Sequence, residues 1–343
     1  MPGITVGFPT TLTYFLHYPF WNTFFSELGC KLLSSPPTNK AILDLGVKET
    51  VTDACIPIKL FHGHAAYIKE KVDYLFIPRM VNVDREKHIT FCPKFLGLPD
   101  MVRASISNIP PIIEARIDRK QGPFYVFKAC RSIGEHFGKN LLEVFKAYYR
   151  ASGVQKGFDR LLVKEGLTVP EGLEVLYNNA ALKDFHHKSD LNIAVIGYPY
   201  QIYDSYVSAG LLDKLKEQGA RIWTMEMVPY TVLQRQARHL KKKLFWYFSN
   251  KVVWSGYHYL EQPFINGIIH VTAFGCGPDA MVDKLMELEC KHRGFPFLSI
   301  MVDEQTGEGG ISTRIEAFLD MIRYRRGLDE SIISVHGDLA HRL

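Results

Sequence analysis

Three of the six cysteines sit where a thiolate could act as a ligand. Cys55 lies in Asp53-Ala54-Cys55-Ile56-Pro57-Ile58-Lys59, Cys92 in Phe91-Cys92-Pro93-Lys94, and Cys276 in Phe274-Gly275-Cys276-Gly277-Pro278-Asp279. Each falls in a loop or at a helix start, with Pro or Gly beside it. A helix N-terminus lowers a thiol pKa and offers free N–H groups to sulfur. Gly and Pro shape turns that let backbone approach an inorganic cluster. Cys30 at the start of a strand, Cys130 after Phe127-Lys128-Ala129 in a helical run, and Cys290 late in a helix read as packing residues instead. Structural zinc takes four ligands with paired short spacings, and there is no CxxC pair. A [4Fe-4S] cluster normally takes four cysteines, so three would leave one iron for water, substrate or another side chain. Spacing alone leaves open the plainer reading of ordinary loop cysteines.

Other chemistry-bearing residues are less sharply placed. His62 and His64 follow Cys55, but two residues apart on a helix they point about 200° apart and cannot face one metal. One of them could hydrogen-bond near a cluster; a capped or surface histidine is the plainer alternative. Asp303-Glu304 follows a strand, where Glu304 could donate a proton or orient a ligand, or the pair could cap a helix or meet Arg314. His62, His64 and Glu304 are therefore the catalytic candidates. Gly307-Glu308-Gly309-Gly310 could offer backbone N–H groups to an anion, against a flexible loop with a Ser312-Thr313 cap. Lys241-Lys242-Lys243 heads an aromatic run, Leu244-Phe245-Trp246-Tyr247-Phe248, that reads as a helix buried between domains or in a dimer. His186-His187 reads as solvated, and Tyr14, Tyr18, Phe20 and Trp21 read as core.

The elements that must hold these residues show an internal repeat. Ile4-Thr5-Val6-Gly7-Phe8-Pro9 and Ile193-Ala194-Val195-Ile196-Gly197-Tyr198-Pro199 are both short apolar runs ending in Gly-aromatic-Pro, as buried strands leaving a sheet would be. Helical stretches follow, ending at Glu27-Leu28-Gly29 and Glu217-Gln218-Gly219, where the glycines suit the left-handed residue past a helix end. Pro9 and Pro199, Glu27 and Glu217, and Gly29 and Gly219 share one offset of 190 residues. Strands are expected at 31–34, 73–78, 221–225, 267–274 and 297–302, and helices at 55–71, 279–293 and 313–325. Strand–helix alternation predicts parallel sheets covered by helices, with ligands at the carboxyl ends of the strands. The expected division is an N-terminal α/β domain over 1–185, with a mostly helical excursion at about 104–182, and a C-terminal α/β domain over 186–343.

Composition bounds the function. A chain of 343 residues predicts about two domains. Forty-one basic against 36 acidic residues give +5, too mild and too scattered for a nucleic-acid protein. No apolar run reaches the roughly 18 residues of a membrane span. MPGITVGFP enters a strand-like run without a basic start, which predicts no secretory signal and a cytoplasmic protein with reduced thiols. There is no GxxxxGK[ST] or GxGxxG fingerprint and no nucleophile elbow.

Several segments together resemble a known family. They are Asp53 to Lys59, His62-Gly63-His64, Cys92 to Asp100, Phe274 to Asp279, Asp303 to Ile311 and Thr313 to Phe318. In these the chain is similar to the acyl-CoA dehydratase activase-related iron–sulfur proteins. That module is itself similar to the 2-hydroxyacyl-CoA dehydratase and benzoyl-CoA reductase components and to double-cubane cluster proteins. The resemblance covers roughly residues 4–110 and 190–325. It implies two flavodoxin-like (Rossmann-like) domains holding a [4Fe-4S] cluster between them through Cys55, Cys92 and Cys276. It further implies a separate actin-like iron–sulfur ATPase, or another low-potential reductase, as electron donor. Family members often carry the ATPase domains on the same chain; this one has none.

The leading reading is an anaerobic iron–sulfur protein that accepts low-potential electrons and acts in reduction or dehydration of a small substrate, an acyl-CoA thioester among the candidates. The alternative is a non-catalytic electron-transfer or cluster-carrier protein, told apart by whether a substrate-sized cavity adjoins the cysteines. A double-cubane reductase would need Cys30, Cys130 and Cys290 to converge on the same interface. A homodimer stays open.

Overall fold

The computed structural model describes residues 3–86, 88–185 and 189–327. The first half contains β1 (Thr5–Phe8), α1 (Tyr14–Glu27), β2 (Lys31–Ser34), α2 (Lys40–Lys48), α3 (Ile56–Ile68), β3 (Tyr74–Phe76), β4 (Arg79–Asn82), α4 (Pro93–Leu96), α5 (Leu98–Ser105), β5 (Ile112–Ile113) and β6 (Arg116–Asp118). Three helices follow: α6 (Tyr125–His136), α7 (Leu141–Glu165) and α8 (Val169–Tyr177). The second half contains β7 (Leu191–Gly197), α9 (Pro199–Ile202), α10 (Leu211–Glu217), β8 (Ala220–Trp223), α11 (Tyr230–Arg235), α12 (Tyr247–Leu260), β9 (Gly267–Ala273), α13 (Gly277–His292), β10 (Phe297–Val302) and α14 (Glu308–Arg325).

Two parallel four-stranded sheets form, ordered β2-β1-β3-β5 and β10-β9-β7-β8. Counted within each sheet, both run second-first-third-fourth, so the duplicated motifs mark duplicated topology. Gly29 and Gly219 take φ of +79° and +74°, the left-handed residues that end α1 and α10. Gly197 is demanded differently: a Cβ there would stand 2.5 Å from the carbonyl oxygen of Val271 on the neighbouring strand β9. Pro78 lacks an N–H and interrupts the third strand, after which β4 and β6 continue the pairing as a two-stranded extension.

The stretch 104–182 is mostly helical, although its first part also supplies β5 and β6. Its long helix α7 starts with a capping box of Asn140 and Glu143 and ends at left-handed Gly166. It packs along α1, where Gln155 donates to the Leu16 carbonyl (3.0 Å) and accepts from the Phe20 N–H (3.2 Å). The boundary drawn after residue 185, together with His186 and His187, falls at residues 186–188, outside the described residues.

Two local expectations are corrected, and one helix was missed. Leu244 to Trp246 is not helical: Phe245 and Tyr247 exchange backbone hydrogen bonds with Thr90 (3.1 and 2.8 Å), and the helix starts at Tyr247. This bridge joins the two halves of the chain. Glu308-Gly309-Gly310 is no loop but the first turn of α14, with Thr313 bonded back to the Gly309 carbonyl. Helix α2 was not foreseen, and it matters because α3 packs on it. No described helix is long and apolar enough to cross a membrane.

Candidate functional site

Cys55, Cys92 and Cys276 occupy the same local position three times over. Each is the N-cap residue of a helix, of α3, α4 and α13 respectively, with extended backbone and a proline in the first turn. Proline suits that turn because its missing N–H would have had no partner there. The three helix starts converge. Cys55, Cys92 and Cys276 line one small pocket, walled by Phe91, Phe95, Tyr198, Tyr200, Gln201 and the segment Trp246 to Phe248.

The elements explain the convergence. Cys92 follows the Thr90 bridge to the Phe245–Tyr247 backbone by two residues. Cys276 lies just past the carboxyl end of β9, and Tyr198 and Tyr200 just past that of β7, where open parallel sheets place ligands. Two clasps hold Cys55's helix against the second half. Lys59, only 7% exposed, pairs with Glu304. His64 sits between the Ser35 hydroxyl (Nδ1, 2.8 Å) and the Thr38 hydroxyl (Nε2, 2.9 Å), and Thr38 donates to Asp204 (2.5 Å).

The thiols are not lowered in pKa as helix N-termini alone would have them. Burial pushes all three up, and it outweighs the amides of Ile58, Phe95 and Asp279, which act in the opposite direction. Cys276 is raised further by the Asp279 carboxylate and by its two neighbouring thiols. Metal-free, the site is a set of protonated thiols.

The catalytic candidates lie outside this lining. His62 is buried, with Nδ1 against the Ile58 carbonyl (2.8 Å). His64 is kept neutral by burial, its pKa down to about 4, and Glu304 is taken up by Lys59. Asp303 closes a turn with Thr306 and Gln305, while Arg314 binds the Ser299 carbonyl rather than either acid. Cys30, Cys130 and Cys290 are buried and free and do not line the pocket. The aromatic wall was missed; its signals are Phe91 beside Cys92 and Tyr198-Pro199-Tyr200 directly after a strand.

Among the described residues, no three His, Cys, Asp or Glu side chains are close enough to hold a single metal ion. A four-iron cluster places each thiolate on a different iron, so it asks for separated thiols. The donor chemistry fits such a group. Three thiols sit at positive helix ends, and the buried Gln201 Nε2 has no partner. The void itself is about 30 Å³, room for roughly two waters and far less than a cluster, so the thiols and rings close over the place a cluster would take.

A second, larger cavity of about 600 Å³ adjoins the first and shares Phe91, Tyr247 and Phe248 with it.

Comparison with known families adds to this geometry. Residues 5–228 match the family described as CoA enzyme activase uncharacterised domain. The chain belongs to that family. Residues 258–322, which contain Cys276 and α13, match 2-hydroxyglutaryl-CoA dehydratase, D-component. This activase-domain chain has no match among curated proteins.

Proposed function

We propose that Cys55, Cys92 and Cys276 hold a [4Fe-4S] cluster between the two α/β halves. The protein then accepts low-potential electrons from a separate ATPase reductase and acts in reduction or dehydration of a small substrate, an acyl-CoA thioester among the candidates. The observation that carries this reading is the convergence of three helix-capping cysteines, drawn from both halves, in one aromatic-walled pocket. Both family matches carry CoA-enzyme descriptions, and one of them names a dehydratase component.

When bound, the cluster would supply one-electron chemistry and, at the iron lacking a thiolate, an open coordination position. The chain's own part is defined by its residues. The three thiols must release protons to become ligands. The Gln201 amide offers an unused donor in the wall, and the rings of Phe91, Phe95, Tyr200 and Phe248 exclude water. The 600 Å³ cavity behind Phe91 and Phe248 favours an enzyme over an electron carrier, since a carrier needs no room for substrate. Cys30, Cys130 and Cys290, buried away from the pocket, weigh against a double-cubane site.

The test is anaerobic purification and reconstitution with iron and sulfide, followed by metal and sulfide analysis and EPR of the reduced protein. About four irons per chain are expected, lost in Cys55→Ser, Cys92→Ser and Cys276→Ser and kept in Cys30→Ser and Cys290→Ser. A fully folded protein that takes up no iron would overturn the reading.

A further inference from the structure

The 600 Å³ cavity lies between α1 and α7 of the first half and Met225 to Leu233 with the start of α12 in the second. Most of its wall is apolar, with Phe15, Phe20, Trp21, Tyr148 and Phe158 among the rings. That size and character match a small-molecule site, in which a few polar groups fix orientation.

The polar groups are few and unequally engaged. Asp159, an exposed residue, accepts from the Gln155 amide (2.8 Å) and lies close enough to Lys251 to feel its charge. Glu226 accepts from the Tyr203 hydroxyl (2.5 Å), leaving its other oxygen buried and unpaired. Arg119 and Lys156 are the remaining charged residues of the wall, with Lys156 exposed. Lys251 differs from all of these. It is half-buried on the first turns of α12, and among the described residues it has no hydrogen bond or ion pair. Its ammonium stands 5.8 Å from the Tyr247 ring. His17 shares the cavity and is close enough to feel Lys251; burial and that charge hold it neutral, its pKa down to about 4. The wall thus carries three cations, two anions and a neutral imidazole. Asp159 feels the Lys251 charge across the cavity but makes no ion pair with it; a half-buried ammonium with no direct partner is costly unless something pairs with it.

We propose that this cavity binds an apolar monocarboxylate, with its carboxylate received by Lys251 beside His17 and its hydrophobic body lying among Phe15, Phe20, Trp21 and Phe158. The inference rests on the cavity and not on a cluster, so it is tested on iron-free protein, and iron uptake is read separately.

The experiment is isothermal titration calorimetry with three probes of one chain length: decanoate, decylamine, and the neutral N-acetylcysteamine thioester of decanoic acid. Decanoate is expected to bind at least tenfold more tightly than either of the others. Lys251→Met should remove at least tenfold of decanoate affinity while leaving the thermal unfolding profile intact, and Lys251→Arg should restore it. Equal binding of decanoate and the thioester, undiminished decanoate binding by Lys251→Met, or no binding of decanoate by folded wild-type protein would each overturn the assignment.

Discussion

The placement of Cys55 depends on how closely α3 approaches α2, and two glycines set that distance. A Cβ on Gly63 would stand 2.0 Å from the Ile42 carbonyl oxygen, and one on Gly46 would stand 2.1 Å from that of Lys59. Ordinary contact begins at 3.4 Å, so Gly63→Ala falls 1.4 Å short of it. The opposing atoms are backbone and cannot rotate away, so the helices must part. Overpacking of this kind costs up to about 3 kcal/mol, against about 1 kcal/mol recovered from the helix propensity of alanine. The net loss is roughly 2 kcal/mol, or a fall of about 4–8 °C in Tm for a unit of 150–250 residues. Gly153→Ala and Gly157→Ala in α7 serve as controls of opposite sign. Their added methyl groups meet nothing within 4 Å, so each should gain up to about 1 kcal/mol. Thermal unfolding followed by circular dichroism would separate the pairs. If Gly46→Ala and Gly63→Ala melted at or above the wild-type temperature, close helix approach would not be what positions Cys55.

Three further outcomes follow from the site's surroundings. Glu304→Ala strands the ammonium of Lys59, 7% exposed, and should cost about 3 kcal/mol. Lys59→Met leaves Glu304, 31% exposed, free to hydrate and should cost less; urea denaturation showing the reverse order would contradict the burial argument. His270 is buried against Asp279 (3.3 Å) and Asp283 (2.7 Å). Burial opposes its charge, yet the two carboxylates prevail and raise its pKa to about 9. Its contribution to stability is therefore complete below about pH 6.5, the unfolded value. It is lost as pH rises through 9, and urea midpoints between pH 6 and 10 should show a fall that Asp283→Asn flattens. Iodoacetamide acting on native, metal-free protein should label the half-buried Cys55, Cys92 and Cys276 first. Peptide mass spectrometry should find Cys30, Cys130 and Cys290 modified only after denaturation; early labelling of Cys130 would contradict its complete burial.

Much of the scaffold was legible because its signals are local. Gly-aromatic-Pro after each first strand, and Gly29 and Gly219 after the paired helices, report strand and helix ends wherever they occur, and the two sheets repeat one order. The three site cysteines stood apart because proline and glycine beside a cysteine mark a helix start. What stayed hidden depends on long-range contact. Nothing near Lys59 indicates Glu304, 245 residues away, although a lysine inside the apolar run Ile56 to Phe61 hints at a buried partner. The aromatic run after Lys243 reads as a helix by composition, yet Thr90 draws its first residues into a bridge. Helix α2 was overlooked since its glycine weakens the helical pattern, and that glycine is present for the contact with α3. The thiol pKa values run against expectation for the same reason: helix ends are local, whereas burial belongs to the assembled fold.

The order of the three capping cysteines along the chain has a consequence for biosynthesis. Cys276 is translated 184 residues after Cys92, which at 5–20 residues per second is roughly 10–40 s later. During that interval the first two thiols lack their third companion, and the Thr90 bridge lacks Phe245 and Tyr247. A nascent chain therefore cannot present the complete donor set. The set exists only after the second half has folded and docked, so any metal loading follows that docking, and a product truncated before Cys276 would present at most two of the three thiols.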